Sequence, residues 1–172
     1  MQDALTRIET ELLPGLLLDD TRWKSVYVDY HPPFVQRLWT TVSLGGEQYR
    51  VYLHRILPCE LKDALFHPHP WPSAMRILSG RYTMIVGHGK GDAAPPVTMT
   101  LSLPAGTAYE MVHEDGWHAV CPDGAPAYSL MVTGSPWERE SPKSPYPLQP
   151  LPEPLQAEIL AFFRAAYPAA PV

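Results

Sequence analysis

The spacing of hydrophobic residues changes near residue 23, and the change predicts two kinds of structure. Before it, Leu5, Ile8, Leu12 and Leu13 recur at helical spacing, which predicts a helix over residues 1–17. After it, short segments rich in β-branched and aromatic residues are separated by proline-rich or glycine-rich turns. The predicted strands are residues 23–30, 34–42, 48–56, 74–86, 97–103, 108–112, 117–121 and 127–133. Short strands at this regular spacing are typical of an all-β barrel or sandwich.

The end of the chain changes character again. Residues 135–153 form a proline-rich arm, and residues 154–167 carry apolar side chains at helical spacing, including Leu155, Ile159 and Phe163. We therefore expect one domain over residues 1–172. It consists of an N-terminal helical segment (1–20), a β-barrel (23–134), the arm (135–153) and a C-terminal helix (154–167). A chain of 172 residues buries a sufficient core without a second domain.

Composition narrows the expected partners. The net charge of −5 and the absence of a Lys/Arg cluster argue against nucleic acid, which requires a basic face. No apolar run approaches the roughly 20 residues that span a bilayer, so no membrane contact is expected. The start of the chain carries Asp3, Glu9 and Glu11 where a signal peptide would be basic and then apolar, so we expect a cytoplasmic protein. A small-molecule substrate remains as the expected partner, and a homodimer is compatible with the sequence.

Histidines carry the strongest chemical signal in this chain. Residues two apart on a strand point to the same face, so an extended His67-Pro68-His69 directs two imidazoles to one point. His118 lies in a similar setting about fifty residues later, at a turn that leads into an apolar strand, and His113 lies close to it. Imidazole is the commonest protein ligand for zinc, iron, copper and nickel. The pattern predicts a metal site with His67, His69 and His118 as ligands, with His113 as the alternative third ligand.

These motifs resemble those of the cupin superfamily, small β-barrels that hold a metal between two short motifs. The first family motif reads His-x-His, three or four residues, Glu, six residues, Gly. Here His67 and His69 supply the pair, Ser73 falls at the Glu position and Gly80 at the Gly position. The second motif ends in a histidine after a Pro/Gly turn, which matches Gly106 to His118 with an adjusted gap. A different alignment from Pro104 places Tyr109 at the ligand position, but tyrosine must first lose a proton with a pKa near 10.

The resemblance implies a cupin-like double-stranded β-helix, a jelly-roll barrel, with short terminal helices. It also implies a three-His site similar to that of thiol dioxygenases and diketone-cleaving dioxygenases, with Fe(II) as the expected metal and Zn, Ni or Mn as alternatives. The expected function is a metal-dependent, non-haem iron dioxygenase acting on a small polar substrate. The alternatives are a metal-binding or ligand-binding cupin without turnover, and a non-redox isomerase.

Four other residues are candidates for catalysis or substrate contact. Tyr109 and His113 lie near the second motif, and Glu110 faces either the metal, as ligand or base, or water. Arg76, on a core-rich strand, binds a substrate carboxylate, faces outward, or pairs with an internal acid such as Glu110 or Asp115. The indoles of Trp71 and Trp117 are each within two residues of an expected ligand, so we expect both to wall the substrate cavity.

Overall fold

Two antiparallel sheets form the protein in the computed structural model, which describes residues 1–139 and 142–169. Residues 140 and 141 of the predicted arm and residues 170–172 lie outside this description. The strands are β1 (Lys24–Val28), β2 (Val35–Leu44), β3 (Glu47–Ile56), β4 (His67–Pro68), β5 (Ser73–Ser79), β6 (Arg81–His88), β7 (Val97–Pro104), β8 (Ala108–Met111), β9 (Gly116–Pro122) and β10 (Ala127–Thr133).

The strand order is β1-β2-β3-β10-β5-β8 in the larger sheet and β4-β9-β6-β7 in the smaller one. Ile77 and Ala127 of the larger sheet share a buried cluster with Tyr82, Met84 and Val120 of the smaller sheet. The two sheets therefore pack face to face around a common interior. This arrangement confirms the predicted fold class, an all-β jelly roll with few short helices.

Helices occupy both ends of the described chain. The N-terminal segment consists of α1 (Gln2–Arg7), a π-helical turn (Ile8–Leu12) and α2 (Leu13–Leu16), and the C-terminal helix is α3 (Glu153–Ala166). Single 3₁₀ turns lie at Asp20–Arg22 and Leu61–Asp63.

The outer face of the larger sheet is covered by these helices. Leu38, Leu53 and Leu130 on the sheet share one buried cluster with Ile8 and Phe163 on the helical segments. Alternation along a strand then sends the intervening residues to the opposite face. Those residues, among them Val35, Arg37, His54, Met75 and Met131, line the interior of the barrel.

The predicted strand over residues 74–86 is two strands in two different sheets. The chain turns at Gly80, whose φ of +83° is costly for any residue with a Cβ. A Cβ there would also lie 2.8 Å from the Cβ of Ala127, so the close approach of β10 requires glycine as well. This turn carries the chain from β5 of the larger sheet to β6 of the smaller sheet.

An ion pair fastens the N-terminal helix to the outer face of β5. The Arg76 guanidinium donates from Nε to Glu9 Oε1 at 2.6 Å and from Nη2 to Oε2 at 2.9 Å. Tyr167 Oη donates to the same carboxylate at 2.6 Å. Glu9 is only 7% exposed, so its charge depends on these donors in place of water.

Replacing Glu9 with Gln is expected to lower the free energy of unfolding by about 1–3 kcal/mol, because Arg76 then loses its charged partner in a partly buried site. Glu11→Gln is the matched control, since Glu11 pairs with Arg7 one turn away on the exposed helix surface. Urea unfolding of both variants measures the difference. Equal stability of the two variants would contradict a structural role for the Glu9–Arg76 pair.

Candidate metal centre

Strand register brings His67 and His118 together. The short strand β4 pairs with β9 so that His67 lies directly opposite His118, and opposed residues share one face of the sheet. Their ring centroids are 5.2 Å apart, and the ring of His69 is 4.5 Å from that of His118. One ring nitrogen from each of the three histidines lies within 4.8 Å of the others. The structure thus brings together the three residues that the sequence pattern selected.

Two of the three rings are oriented by hydrogen bonds at Nδ1. His67 Nδ1 lies 2.9 Å from the carbonyl oxygen of Leu65, which can only accept, so the Nδ1 of His67 carries the proton. His69 Nδ1 lies 3.1 Å from the hydroxyl oxygen of Ser73. Such contacts fix the orientation of a ligating imidazole and leave Nε2 to bind. Ser73 therefore supports His69 from behind the ring.

The spacing of the nitrogens fits a shared metal ion. His69 Nε2 and His118 Nε2 lie 2.8 Å apart, a distance at which one N–H donates to the other nitrogen. Two nitrogens that bind one metal ion at about 2.1 Å, with an angle of about 90° between the two bonds, lie about 3.0 Å apart. A metal ion therefore requires little movement of the rings. Nδ1 of His118 is buried and has no partner among the described residues.

Burial keeps these imidazoles neutral. It lowers the pKa of His67 to about 4 and that of His69 to about 3, in each case mainly because the charged ring would lose its hydration. Burial likewise lowers the pKa of His118, and the neighbouring His69 and His67 add to the effect. Metal binding requires the unprotonated nitrogen, so the site is ready for a cation at neutral pH.

The histidines lie in a cavity of about 260 Å³. This volume is below the roughly 300–1,000 Å³ typical of pockets for drug-sized ligands, so it suits a small molecule. The wall is largely apolar, with Ile56, Met75, Val120 and Met131 among its residues. No carboxylate among the described residues lines the cavity.

Five polar residues of the cavity were not selected from the sequence: Tyr30, His31, Arg37, His54 and Ser144. Arg37 on β2 and His54 on β3 lie directly opposite each other and both line the cavity. Burial lowers the pKa of His54 to about 3, with the positive charge of Arg37 as the second cause. Neither ring nitrogen of His54 has a partner among the described residues. The signal in the sequence is the alternation Val35, Arg37, Trp39, which places an arginine on an otherwise apolar strand face.

The structure gives Arg76 and Glu110 partners outside the cavity. Both lie on the outer face of the larger sheet, because Glu110 pairs with Ala74 and Arg76 follows two residues later on the same side of β5. Arg76 pairs with Glu9, which was not among the internal partners expected for it, and Glu110 accepts a hydrogen bond from the backbone of Gln2 at 2.9 Å. The structure thus gives Arg76 the outward position that the sequence left open, and it places Glu110 on the face away from the histidines rather than at the metal.

Tyr109 lies inside the barrel but its hydroxyl is engaged elsewhere. Its Oη donates to Met75 Sδ at 3.2 Å, and its ring centroid is 6.5 Å from that of His118. Burial raises the pKa of Tyr109 well above the usual value near 10, which disfavours the phenolate that a metal ligand requires.

His113 is placed away from the cavity, with 65% of its side chain exposed. It contacts His88, and one ligand atom from each of His88, His113 and Asp115 lies within 4.8 Å of the others. The geometry therefore favours His118 over His113 as the third ligand of the buried site.

Only one of the two candidate tryptophans lines the cavity. Trp71 is part of the wall, 6.2 Å between ring centroids from His69. Trp117 precedes His118 on β9, so alternation turns it to the opposite face, where its Nε1 donates to the carbonyl oxygen of Gly89 at 2.9 Å. The expectation that both indoles wall the cavity is therefore corrected for Trp117.

The sequence matches no protein-family model and no curated protein. Among solved structures, hydroxypropylphosphonic acid epoxidase from S. wedmorenis is similar, with a TM-score of 0.48 and 19% identity over 67% of this chain. KdgF from Halomonas sp. has a TM-score of 0.44 and 12% identity, covering 63% of this chain and 85% of KdgF. The present chain spans only 56% of the epoxidase. Likeness at this level of identity concerns the fold alone.

The fold and the site together define a class of protein: a small two-sheet jelly-roll barrel with three histidines converging in its interior. Within the described residues, no helix is long and apolar enough to cross a membrane.

The contact between Ser73 and His69 predicts a measurable effect on metal affinity. Ser73→Ala is expected to weaken binding about 10–100-fold, because His69 loses the group that orients it. Ser129→Ala is the control, since Ser129 is equally buried but accepts its hydrogen bond from Tyr82. Competition with a chelator measures both affinities. An unchanged affinity in Ser73→Ala would mean that the hydroxyl does not support the site.

Acid is expected to destabilise the metal-free protein. His54, His67 and His69 titrate near their ordinary pKa of about 6.5 when unfolded and at about 3, 4 and 3 when folded. Below about pH 6.5 the unfolded chain therefore binds more protons than the folded chain. The free energy of unfolding is highest above that pH and falls progressively toward pH 4. Melting temperatures of the metal-free protein at pH 7.5, 6.5, 5.5 and 4.5 measure this loss. His54→Phe should reduce the slope.

Proposed function

We propose that the protein is a metal-dependent enzyme acting on a small polar substrate, and specifically a non-haem iron dioxygenase that uses His67, His69 and His118 as metal ligands. The observation that carries the proposal is the convergence of three neutral imidazoles, two of them buried and that of His67 half-buried, at one wall of a small cavity. Imidazole ligands suit iron as well as zinc, copper and nickel.

The absence of a carboxylate from the described cavity wall supports the dioxygenase hypothesis. Three neutral ligands leave the full charge of a divalent ion and several open positions, which suits binding a substrate beside dioxygen. Fe(II) would supply the redox chemistry that activates dioxygen. A carboxylate as fourth ligand would neutralise part of the charge of the metal ion and would occupy one of the positions open to substrate and dioxygen.

The protein residues around the site have two tasks in this proposal. Apolar side chains such as Met75, Val120 and Met131 exclude water, which protects a reactive intermediate from side reactions. Leu65 and Ser73 hold the imidazoles in the orientation that directs Nε2 toward the shared position.

The test is metal content followed by oxygen consumption. Protein loaded anaerobically with Fe(II) should retain one ion in the buried site, and should consume oxygen when mixed with one member of a panel of small thiols, diketones and carboxylic acids. His67→Ala and His69→Ala should each lose most of the iron and the oxygen consumption, because two imidazoles hold a divalent ion poorly. Elemental analysis and an oxygen electrode provide the readings.

His113→Ala is the matched control, because this histidine is exposed and lies outside the cavity. It should keep both the iron and the activity. Full iron occupancy in both His67→Ala and His69→Ala would refute the ligand set. Stable zinc or nickel without oxygen consumption would instead favour a non-redox isomerase or a binding protein without turnover.

A further inference from the structure

The cavity contains a positive charge, and no negative charge among the described residues balances it. Among the described residues, the guanidinium of Arg37 makes no hydrogen bond and no ion pair, and its Nε is buried without a partner. Its guanidinium lies over the face of Tyr52, 5.2 Å from the guanidinium carbon to the ring centroid. The other arginines of the larger sheet differ: Arg50 donates to the Tyr52 hydroxyl, Arg55 donates to Gln36, and Arg76 pairs with Glu9.

This arrangement is costly for folding alone. A desolvated cation is tolerated when it is paired, and the contact with an aromatic face offsets only part of the lost hydration. The nearby imidazole of His54 is neutral and does not neutralise Arg37. A charged side chain that lowers the free energy of unfolding and faces a cavity is typical of a binding site.

The position of Arg37 suits recognition of a ligand beside the metal position. Arg37 and His54 share the cavity wall with all three histidines of the proposed metal site. His54 offers ring nitrogens that have no partner in the part of the chain that the structure describes. A planar guanidinium presents parallel N–H donors that match the two oxygens of a carboxylate. In a cavity of about 260 Å³, an anion on Arg37 remains close to the histidines.

We infer that Arg37, assisted by a hydrogen bond from His54, binds the carboxylate of the substrate. This inference rests on the proposed function in one respect, that the cavity is the substrate site. It narrows the substrate class to small carboxylates whose reacting end is directed to the histidines. Arg37 is thus a specificity-determining residue.

The experiment compares three probes of similar size on Zn(II)-loaded protein, in which no redox turnover occurs: butyrate, butyramide and n-butylamine. Isothermal titration calorimetry should show butyrate binding about 10–100-fold more tightly than butyramide, since a charged hydrogen-bonded pair is then formed. The amine should not bind. Arg37→Gln should abolish the preference for butyrate, and Arg37→Lys should restore part of it, because lysine keeps the charge but loses the two-pronged geometry.

Two further variants separate Arg37 from its surroundings. Arg50→Gln is the control, because Arg50 contacts Tyr52 and Trp39 on the same strands but does not line the cavity. It should keep the preference. His67→Ala should lose zinc and still prefer butyrate. A preference that disappears in His67→Ala but persists in Arg37→Gln would overturn the inference, since the metal itself would then bind the carboxylate.

Melting temperature distinguishes binding from a structural role. Arg37→Gln should melt at the same temperature as the original protein or higher, because a desolvated cation has been removed. A lower melting temperature together with loss of all binding in both Arg37→Gln and Arg37→Lys would overturn the inference. If His67→Ala instead keeps its zinc, the ligand set of the proposed function fails while the result for Arg37 still stands.

Discussion

Burial of both faces of the six-stranded sheet is the constraint on which the rest of this structure depends. The outer face packs against the terminal helices through Leu38, Leu53 and Leu130, so every second residue of these strands is committed to that contact. The residues between them have only the barrel interior to occupy. Arg37, His54 and Met75 face the cavity for this reason. Packing of the helices against the outer face of the sheet thereby determines which side chains face the cavity on its inner face.

The electrostatics of the cavity are as unusual as its geometry. An arginine that has no acidic partner among the described residues, and the absence of carboxylates from the described wall, favour a negatively charged occupant. A divalent ion on the histidines would add to this positive field. The two charges would act on different parts of one small ligand, which gives it an orientation as well as affinity.

Arg76 and Arg37 show how position on a strand separates stability from function. Arg76 lies on the outer face of β5, where Glu9 and Tyr167 complete a network that fastens both ends of the chain to the sheet. Arg37 lies on the inner face of β2, and its partner among the described residues is an aromatic ring. The sequence pattern indicated Arg76 as a candidate because its strand is rich in core residues, and it did not indicate Arg37. The facing elements, which are distant in sequence, decide which arginine is satisfied.

The sequence by itself determined the fold class and the histidines of interest, because alternation and the His-x-His spacing are local properties. It did not determine that residues 74–86 divide between two sheets, since the sheet that a strand joins depends on which distant strands lie beside it. The roles of Ser73, Arg37 and His54 also required tertiary structure. Each depends on a partner across a strand pair or across the cavity, and hydrophobic spacing along one strand contains no information about which strand lies opposite. The periodicity along a strand thus specifies which residues share one face of the sheet. Only the packing of segments that are distant in sequence decides which residues each face contacts.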